Sequence, residues 1–390
     1  MSARMKRLLF IGHEASRTGA PMLLLQFLRW LRTQDVACDV DILLLRDGEL
    51  ADDYRQVANV HVMSSEPPRP LRGLKRLARA IGLGLVPKQR PGLPPFHRQY
   101  DLVVGNTVLA LDQLATFGRK GCRTVAWLHE LDYVVGEFSV DRFLELSQEV
   151  DRFLVVSNAV SDMLRRLGVE RWIDVVHGFP KIATVETDGA AWVRKRLGIP
   201  PDAFVVGGCG TIEWRKGVDL FLQVAHRMGI EEPHAHFLWV GGRSPHAAHD
   251  FRRVQHDFDR LDLDGRMVFA GAQEHPQAFL AAMDVFALTS REDPFPLVCL
   301  EAASLGKPVV CFDRAGGMPE FVAHDAGAVV PYGDIDAFVE CLLHFRNNRA
   351  DTLRAGSRAR AKVESRFSME HACSRMWNVF RTAAMSGVAA

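Results

Sequence analysis

No stretch of the 390-residue chain approaches the roughly 20 consecutive apolar residues that a membrane-spanning helix needs. The chain is expected to touch a bilayer at most, not to cross it. Paired cysteines are also missing. Cys38, Cys122, Cys209, Cys299, Cys311, Cys341 and Cys373 stand alone, with no C-x-x-C among them. Their number is odd, and most lie in apolar runs such as Leu297-Val298-Cys299-Leu300, which excludes a disulfide framework and predicts reduced core thiols of a cytoplasmic protein. The stretch Met1 to Gly12 has only a short apolar run, Leu8 to Ile11, cut off by His13 and Glu14, so no secretory signal is expected. Nor is there excess charge: 48 Lys and Arg face 47 Asp and Glu, a net of +1. Without a global field, no nucleic-acid partner is expected, and any anion site must be local. Internal repeats and long low-complexity runs are absent too.

What is present is an ordinary globular balance, 48% hydrophobic and 24% charged, long enough for two or three domains of about 150 residues each. Short apolar runs recur at Leu8–Ile11, Val40–Leu45, Leu102–Val104, Thr124–Leu128, Phe153–Val156 and Ile173–Val176. Between most of them lie helical spacings, such as Leu23, Leu24, Phe27, Leu28 and Leu31 on one stripe. Continuous apolar strands alternating with amphipathic helices predict a parallel sheet covered on both faces. The pattern restarts at Phe204–Gly207, His236–Val240, Met267–Ala270, Val285–Leu288 and Pro308–Cys311. Two such series predict two doubly wound α/β domains, with a boundary near Gly178 to Gly189.

Residues 66–98 break the alternation, with eight bases against one acid and seven prolines. Leu71, Leu74, Ile81 and Leu85 fall near one helical face and Arg72, Lys75, Arg76 and Arg79 elsewhere, the composition of a helix lying on an anionic membrane. It equally suits a solvated surface helix with proline-rich flanks.

Open α/β sheets bind ligands at the carboxyl ends of their strands, so the loops there carry the functional reading. After the first strand, Gly19 precedes a helix whose N-terminal amides attract anions. The first strand of the second series runs into Gly207-Gly208-Cys209-Gly210-Thr211, then Arg215-Lys216-Gly217 and a helix from about Val218. Neither the dinucleotide fingerprint nor the P-loop pattern fits these residues. What remains is a glycine turn followed by two cations and helix amides. That combination suits a diphosphate, and also an ordinary surface loop. Farther on, Glu292 and Asp293 precede a helix with Pro296 in its first turn, free amides at Leu297 and Val298, and Glu301 about one turn in. Glu292 and Asp293 suit a helix dipole; Glu301 suits vicinal hydroxyls better. Asp39-Val40-Asp41, Asp257-Phe258-Asp259 and Asp262-Leu263-Asp264 look like D-x-D metal sites, but strand-opening and turn chemistry explain them. His234, His236, His246, His249 and His256 have no recognisable zinc spacing and read as solvated.

As a set, these residues resemble a retaining glycosyltransferase of the family 4 type. Asp293 and Glu301 match its two acids eight positions apart, followed by Glu301-Ala-Ala-Ser-Leu-Gly-Lys-Pro and Ala315-Gly-Gly-Met-Pro-Glu320. Arg215-Lys-Gly-Val-Asp resembles the Lys-Gly loop, Ser157-Asn-Ala-Val-Ser the last helix start of the N-terminal domain, and Phe367-Ser-Met-Glu the start of a helix crossing back. Three positions depart from the family: Asp293 replaces a Glu, Thr211 replaces an Arg, and His177-Gly178 replaces Asn-Gly.

The resemblance implies the two-domain GT-B fold. An acceptor-binding domain would span 1–178, with 368–390 crossing back onto it, and a nucleotide-sugar donor domain would span 179–367. It implies hexosyl or deoxyhexosyl transfer from a nucleotide diphosphosugar to a glycan or lipid-linked acceptor, in cell-surface polysaccharide or glycolipid synthesis. Lys216, with Arg215, would neutralise the diphosphate; Glu301 would hold the ribose; Asp293 would face the donor sugar; Gly19 would lie in the N-terminal loop over the phosphates. Phe295, Leu297 and Val298 would offer backbone amides to sugar and phosphate, near Thr211 of the phosphate loop. His129 would lie beside the transferred sugar. No cofactor or metal is expected. The location implied is cytoplasmic, peripheral to the inner membrane face through residues 66–98. The alternatives are a GT-B sugar-nucleotide epimerase and a non-catalytic sugar-nucleotide or membrane-binding module.

Overall fold

The computed structural model describes residues 5–63, 99–180, 188–243, 248–263 and 265–385. The whole of the basic stretch 66–98, together with His246 and Asp264, lies outside these residues. Seven strands form the first sheet: β1 (Arg7–Gly12), β2 (Asp39–Leu44), β3 (Asn59–Val62), β4 (Leu102–Asn106), β5 (Thr124–Leu128), β6 (Arg152–Val155) and β7 (Trp172–Val175). Six form the second: β8 (Val205–Cys209), β9 (His236–Val240), β10 (Met267–Phe269), β11 (Val285–Leu288), β12 (Val309–Phe312) and β13 (Gly327–Val330). Their orders are β3-β2-β1-β4-β5-β6-β7 and β10-β9-β8-β11-β12-β13, all parallel.

The central strands carry the apolar runs because both of their faces are covered. Leu8, Leu9, Phe10 and Ile11 of β1 are fully buried, as are Val285 and Phe286 of β11. Two strands escape the periodicity. β3 is an edge strand whose Asn59 and His61 face solvent, leaving two valines as its only apolar residues. β13 is the opposite edge of the second sheet, four residues beginning with glycine.

The last helix, Met369–Met385, returns to the first sheet. Phe380 inserts edge-on among Phe10, Phe27 and Trp127 at 5.7, 5.4 and 5.9 Å. Burying such a ring contributes about 2–3 kcal/mol, so the far end of the chain completes the core begun by its first strand. Arg152 on β6 fastens it by donating to Thr382 at 2.9 Å.

In each sheet the strand order reverses once, between β1 and β4 and between β8 and β11. These crevices, at the carboxyl ends of the strands, are where open α/β sheets take ligands. Among the described residues no helix is long and apolar enough to cross a membrane. All seven cysteines are free.

Candidate functional site

In the second sheet, the loops after β8 and β11 are bonded into one unit. Arg291 and Glu292 amides donate to the Arg215 carbonyl at 2.8 and 3.3 Å, and the Thr289 hydroxyl donates to the Gly217 carbonyl at 2.9 Å. The approach is so close that a Cβ on Gly217 would lie 1.9 Å from the Thr289 carbonyl oxygen, and Gly217 is also left-handed at φ 63°. Only glycine fits there. The result places Lys216 Nζ 2.5 Å from Asp293 Oδ2, an ion pair whose carboxylate is almost fully buried. Ser290, also buried, reaches the same oxygen at 3.4 Å. Arg215 is engaged differently, donating to Glu213 at 2.7 Å and to the Glu292 carbonyl at 3.0 Å. Glu301 lies on the helix Leu297–Ser304; burial, and next the nearby Glu301 carboxylate, push the Cys209 thiol at the end of β8 up to about 12.

The first sheet presents the loops after β1, β4 and β5. His129 Nε2 lies 2.7 Å from Asn106 Oδ1, and Asn106 Nδ2 donates to the Ala20 carbonyl at 3.2 Å. Burial, then His13, hold the His129 imidazole down to about 3. Burial raises Glu130, although its carboxylate accepts from the amides of His129 and Val108 at 2.9 and 3.2 Å. Glu130 also feels Arg215 of the other domain, so the two sets of loops face each other. Thr107, after Asn106, holds φ at 110°, a strained value of the kind that clusters at binding sites. His13 lies 3.5 Å from the Thr107 hydroxyl, and a hydrogen bond from His13 brings Glu14 down to about 2.

Two hydrogen-bonded contacts among the described residues join the domains around this cleft. At one, the Tyr133 amide donates to both Glu292 oxygens at 3.2 and 3.0 Å, and its ring lies 5.3 Å from Trp214. At the other, Glu320 caps the N-domain helix Asn158–Arg166, accepting from the Asn158 and Ala159 amides at 3.1 Å each, from Asn158 Nδ2 at 2.7 Å and from His177 Nε2 at 2.9 Å. Burial alone would raise Glu320. The bonds from His177 and the two amides outweigh it and leave the carboxyl below its usual value. A depressed folded-state pKa contributes stability above the unfolded value of about 4.3, and that stability is lost as pH falls through the folded value. Glu320→Gln should therefore cost about 1–2 kcal/mol at neutral pH and flatten the acid limb of stability. Thermal unfolding of both proteins across the acid range checks this; parallel limbs would exclude the carboxylate as their source.

The expected site residues are thus brought together unevenly. Lys216 and Asp293 meet, Glu301 lies close by, and His129 faces them from the first sheet. Gly19 starts the helix Gly19–Thr33, next to the Ala20 carbonyl that Asn106 holds. Thr211 is exposed on its loop. The ring of Phe295, whose backbone amide was the expected contact, is buried against His177 and Phe367, at 4.8 and 5.8 Å, where the chain crosses between domains. Leu297 likewise packs towards Gly178 and the first domain's core, and Val298 is half-buried. Pro296 stands one place before the helix, as its N-cap, rather than in its first turn. Asp41 of the first D-x-D is buried in the sheet, accepting from Tyr100 and Asn59 at 2.6 and 2.9 Å. Among the described residues no group of three or more His, Cys, Asp and Glu is arranged to hold a metal. Sequence reasoning missed Ser290, Asn106, Glu130 and the Glu292–Tyr133 contact. Asn106 had a signal, a polar residue ending a buried central strand.

Residues 203–348 match the family described as Glycosyl transferases group 1. The chain is 28% identical over 220 residues to the lipopolysaccharide core biosynthesis glycosyltransferase LpsD of Rhizobium meliloti, a stretch covering 56% of this chain and 60% of LpsD. It is 29% identical over 211 residues to a GDP-mannose-dependent monoacylated alpha-(1-6)-phosphatidylinositol monomannoside mannosyltransferase of Corynebacterium glutamicum, covering 51% and 52%. The matched stretches thus span little more than half of these relatives. In structure, 97% of the chain superposes on all of Anabaena HepE, crystallised with UDP and glucose, at a TM-score of 0.79 and 21% identity. The chain therefore has the GT-B fold, and its residues 203–348 match the group 1 glycosyl transferase family.

Proposed function

We propose that this chain is a retaining glycosyltransferase that moves a sugar from a nucleoside diphosphosugar to a hydroxyl of a glycan or lipid-linked acceptor, in surface polysaccharide or glycolipid synthesis. The observation that carries this reading is the Lys216–Asp293 pair at the β8/β11 crevice, facing His129 and Glu130 across the cleft. A diphosphate entering the crevice offers Lys216 a second anion, with Arg215 and the first amides of the helices Val218–Glu231 and Leu297–Ser304 around it. In this mechanism the bond from the anomeric carbon to the phosphate oxygen breaks, and a bond to the acceptor oxygen forms on the same face. The acceptor's proton passes to the departing phosphate. The protein then supplies charge stabilisation and orientation rather than a base. LpsD and the mannosyltransferase support the acceptor class by their names, and HepE, bound to UDP and glucose, supports the donor class.

A thermal-shift screen of UDP, GDP, UDP-glucose and GDP-mannose tests the reading, since a ligand binding the folded state at about 100 times its Kd stabilises by about 2.7 kcal/mol. At least one nucleotide should stabilise the protein, and its sugar conjugate should be slowly hydrolysed. Because the cation in this reading is a lysine, stabilisation and turnover should survive EDTA. Stabilisation with no nucleoside diphosphate released would leave a binding protein. A loss in EDTA restored by magnesium would reverse the metal-free reading.

A further inference from the structure

Asn106, the last residue of β4, is buried, and the direction of its two hydrogen bonds follows from chemistry alone. Its Nδ2 lies 3.2 Å from the Ala20 carbonyl oxygen, and its Oδ1 lies 2.7 Å from His129 Nε2. A carbonyl oxygen only accepts, so the amide nitrogen must be the atom facing Ala20. Turning the amide over would set two carbonyl oxygens against each other. The Asn106 oxygen therefore faces the imidazole, and it too only accepts. His129 Nε2 must then carry the proton, which in a neutral ring leaves Nδ1 as a bare acceptor.

We propose that Asn106 is a positioning residue, locking His129 in the Nε2–H tautomer so that Nδ1 accepts a hydrogen bond from a hydroxyl of the transferred sugar. The proposal deepens the transferase reading and rests on it. The register supports it: Asn106 pairs with Gly12 of β1 on one side and Trp127 of β5 on the other, so it is fixed between the two loops it joins. The ring of Trp127 lies 5.0 Å from that of His129 and backs it. The charged or titratable groups around the imidazole are His13, from the loop after β1, and Glu130, whose carboxylate is held by the His129 amide. With burial and His13 keeping it down to about 3, the ring stays neutral at working pH. The donor sugar must then present an O–H to Nδ1. A deoxy position leaves the nitrogen unpaired, and a carboxylate is repelled, so the site selects a hydroxylated sugar at that carbon.

The test begins without substrate. Two-bond 15N–1H correlation spectra of the full chain, labelled in histidine, report which ring nitrogen is protonated. Wild-type His129 should show Nε2 protonated and Nδ1 bare throughout the neutral and mildly acidic range. Asn106→Ala should give mixed tautomers, and Asn106→Asp should bring an imidazolium into that range, because a carboxylate beside Nε2 raises the ring's pKa. A wild-type ring protonated on Nδ1, or a tautomer unchanged in Asn106→Ala, overturns the proposal whether or not the transferase reading holds. With the nucleotide sugar selected by the thermal-shift screen, Asn106→Ala should lose kcat by about 10- to 100-fold with KM little changed. Asn106→Asp should recover activity at high pH and lose it as pH falls through the raised imidazole pKa, a limb absent from wild type. Activity that is equally low at every pH in Asn106→Asp would mean that Asn106 serves only to hold the loops, and would also overturn the proposal.

Discussion

Lys216→Ala should lower kcat/KM by about 100- to 1,000-fold, the cost of removing one preorganised charge from a developing oxyanion. The side chain is held in place before any ligand arrives: Gly217 lets its loop lie against the Thr289 carbonyl, and Asp293 fixes the ammonium at 2.5 Å. Arg215→Ala should cost less, because its guanidinium is already shared between Glu213 and the Glu292 carbonyl. The lysine change also strands a buried carboxylate, and breaking a buried pair costs about 3–5 kcal/mol of stability. The double variant Lys216→Ala/Asp293→Asn separates the two effects. Neutralising Asp293 should restore thermal stability but not turnover. Steady-state kinetics and unfolding on the four proteins of that cycle decide the matter. Recovery of both together would make Lys216 a structural counter-ion, and a larger loss in Arg215→Ala would move the leaving-group cation one residue upstream.

The buried centres of both sheets were legible because parallel strands covered on two faces carry unbroken apolar runs. Thr124–Leu128, His236–Val240 and Val285–Leu288 were read to the residue. The edges were not. β3 alternates polar and apolar over four residues, and β13 is small and short, so neither rises above loop composition. In the site, Lys216 and Asp293 were legible as types in loops, but not as partners, since 77 residues separate them and only the β8/β11 neighbourhood brings them together. Phe295 shows the opposite case. Its place between Asp293 and Glu301 suggested a contact through its backbone amide, and nothing in the sequence pointed to the buried stack its ring makes with Phe367 and His177. That stack sits where the chain passes between domains, so the loop after β11 also packs against the crossover. Glu320 is similar: a motif acid in sequence, it becomes a helix cap for the other domain only once the two sheets are set side by side.

Glu301→Ala should weaken nucleotide binding by roughly 100-fold while leaving the fold intact. The residue sits on the helix Leu297–Ser304, inward of the N-terminal amides and close enough to Cys209, at the end of β8, to raise its thiol. It is half-buried, a position that favours a carboxylate with polar partners over one turned to bulk water. A pair of vicinal hydroxyls would add two charge-assisted bonds, which at about 1.5 kcal/mol each amount to about two decades of affinity. Glu301→Gln should fall between, because the amide keeps one acceptor and loses the charge. The measurement is calorimetric titration with the nucleotide chosen by the thermal-shift screen and with its 2′-deoxy analogue. The analogue should bind wild type as weakly as the full nucleotide binds Glu301→Ala, and the variant should not distinguish the two. A Glu301→Ala protein that still prefers the ribonucleotide would place ribose recognition elsewhere, with Lys216 still at the phosphates.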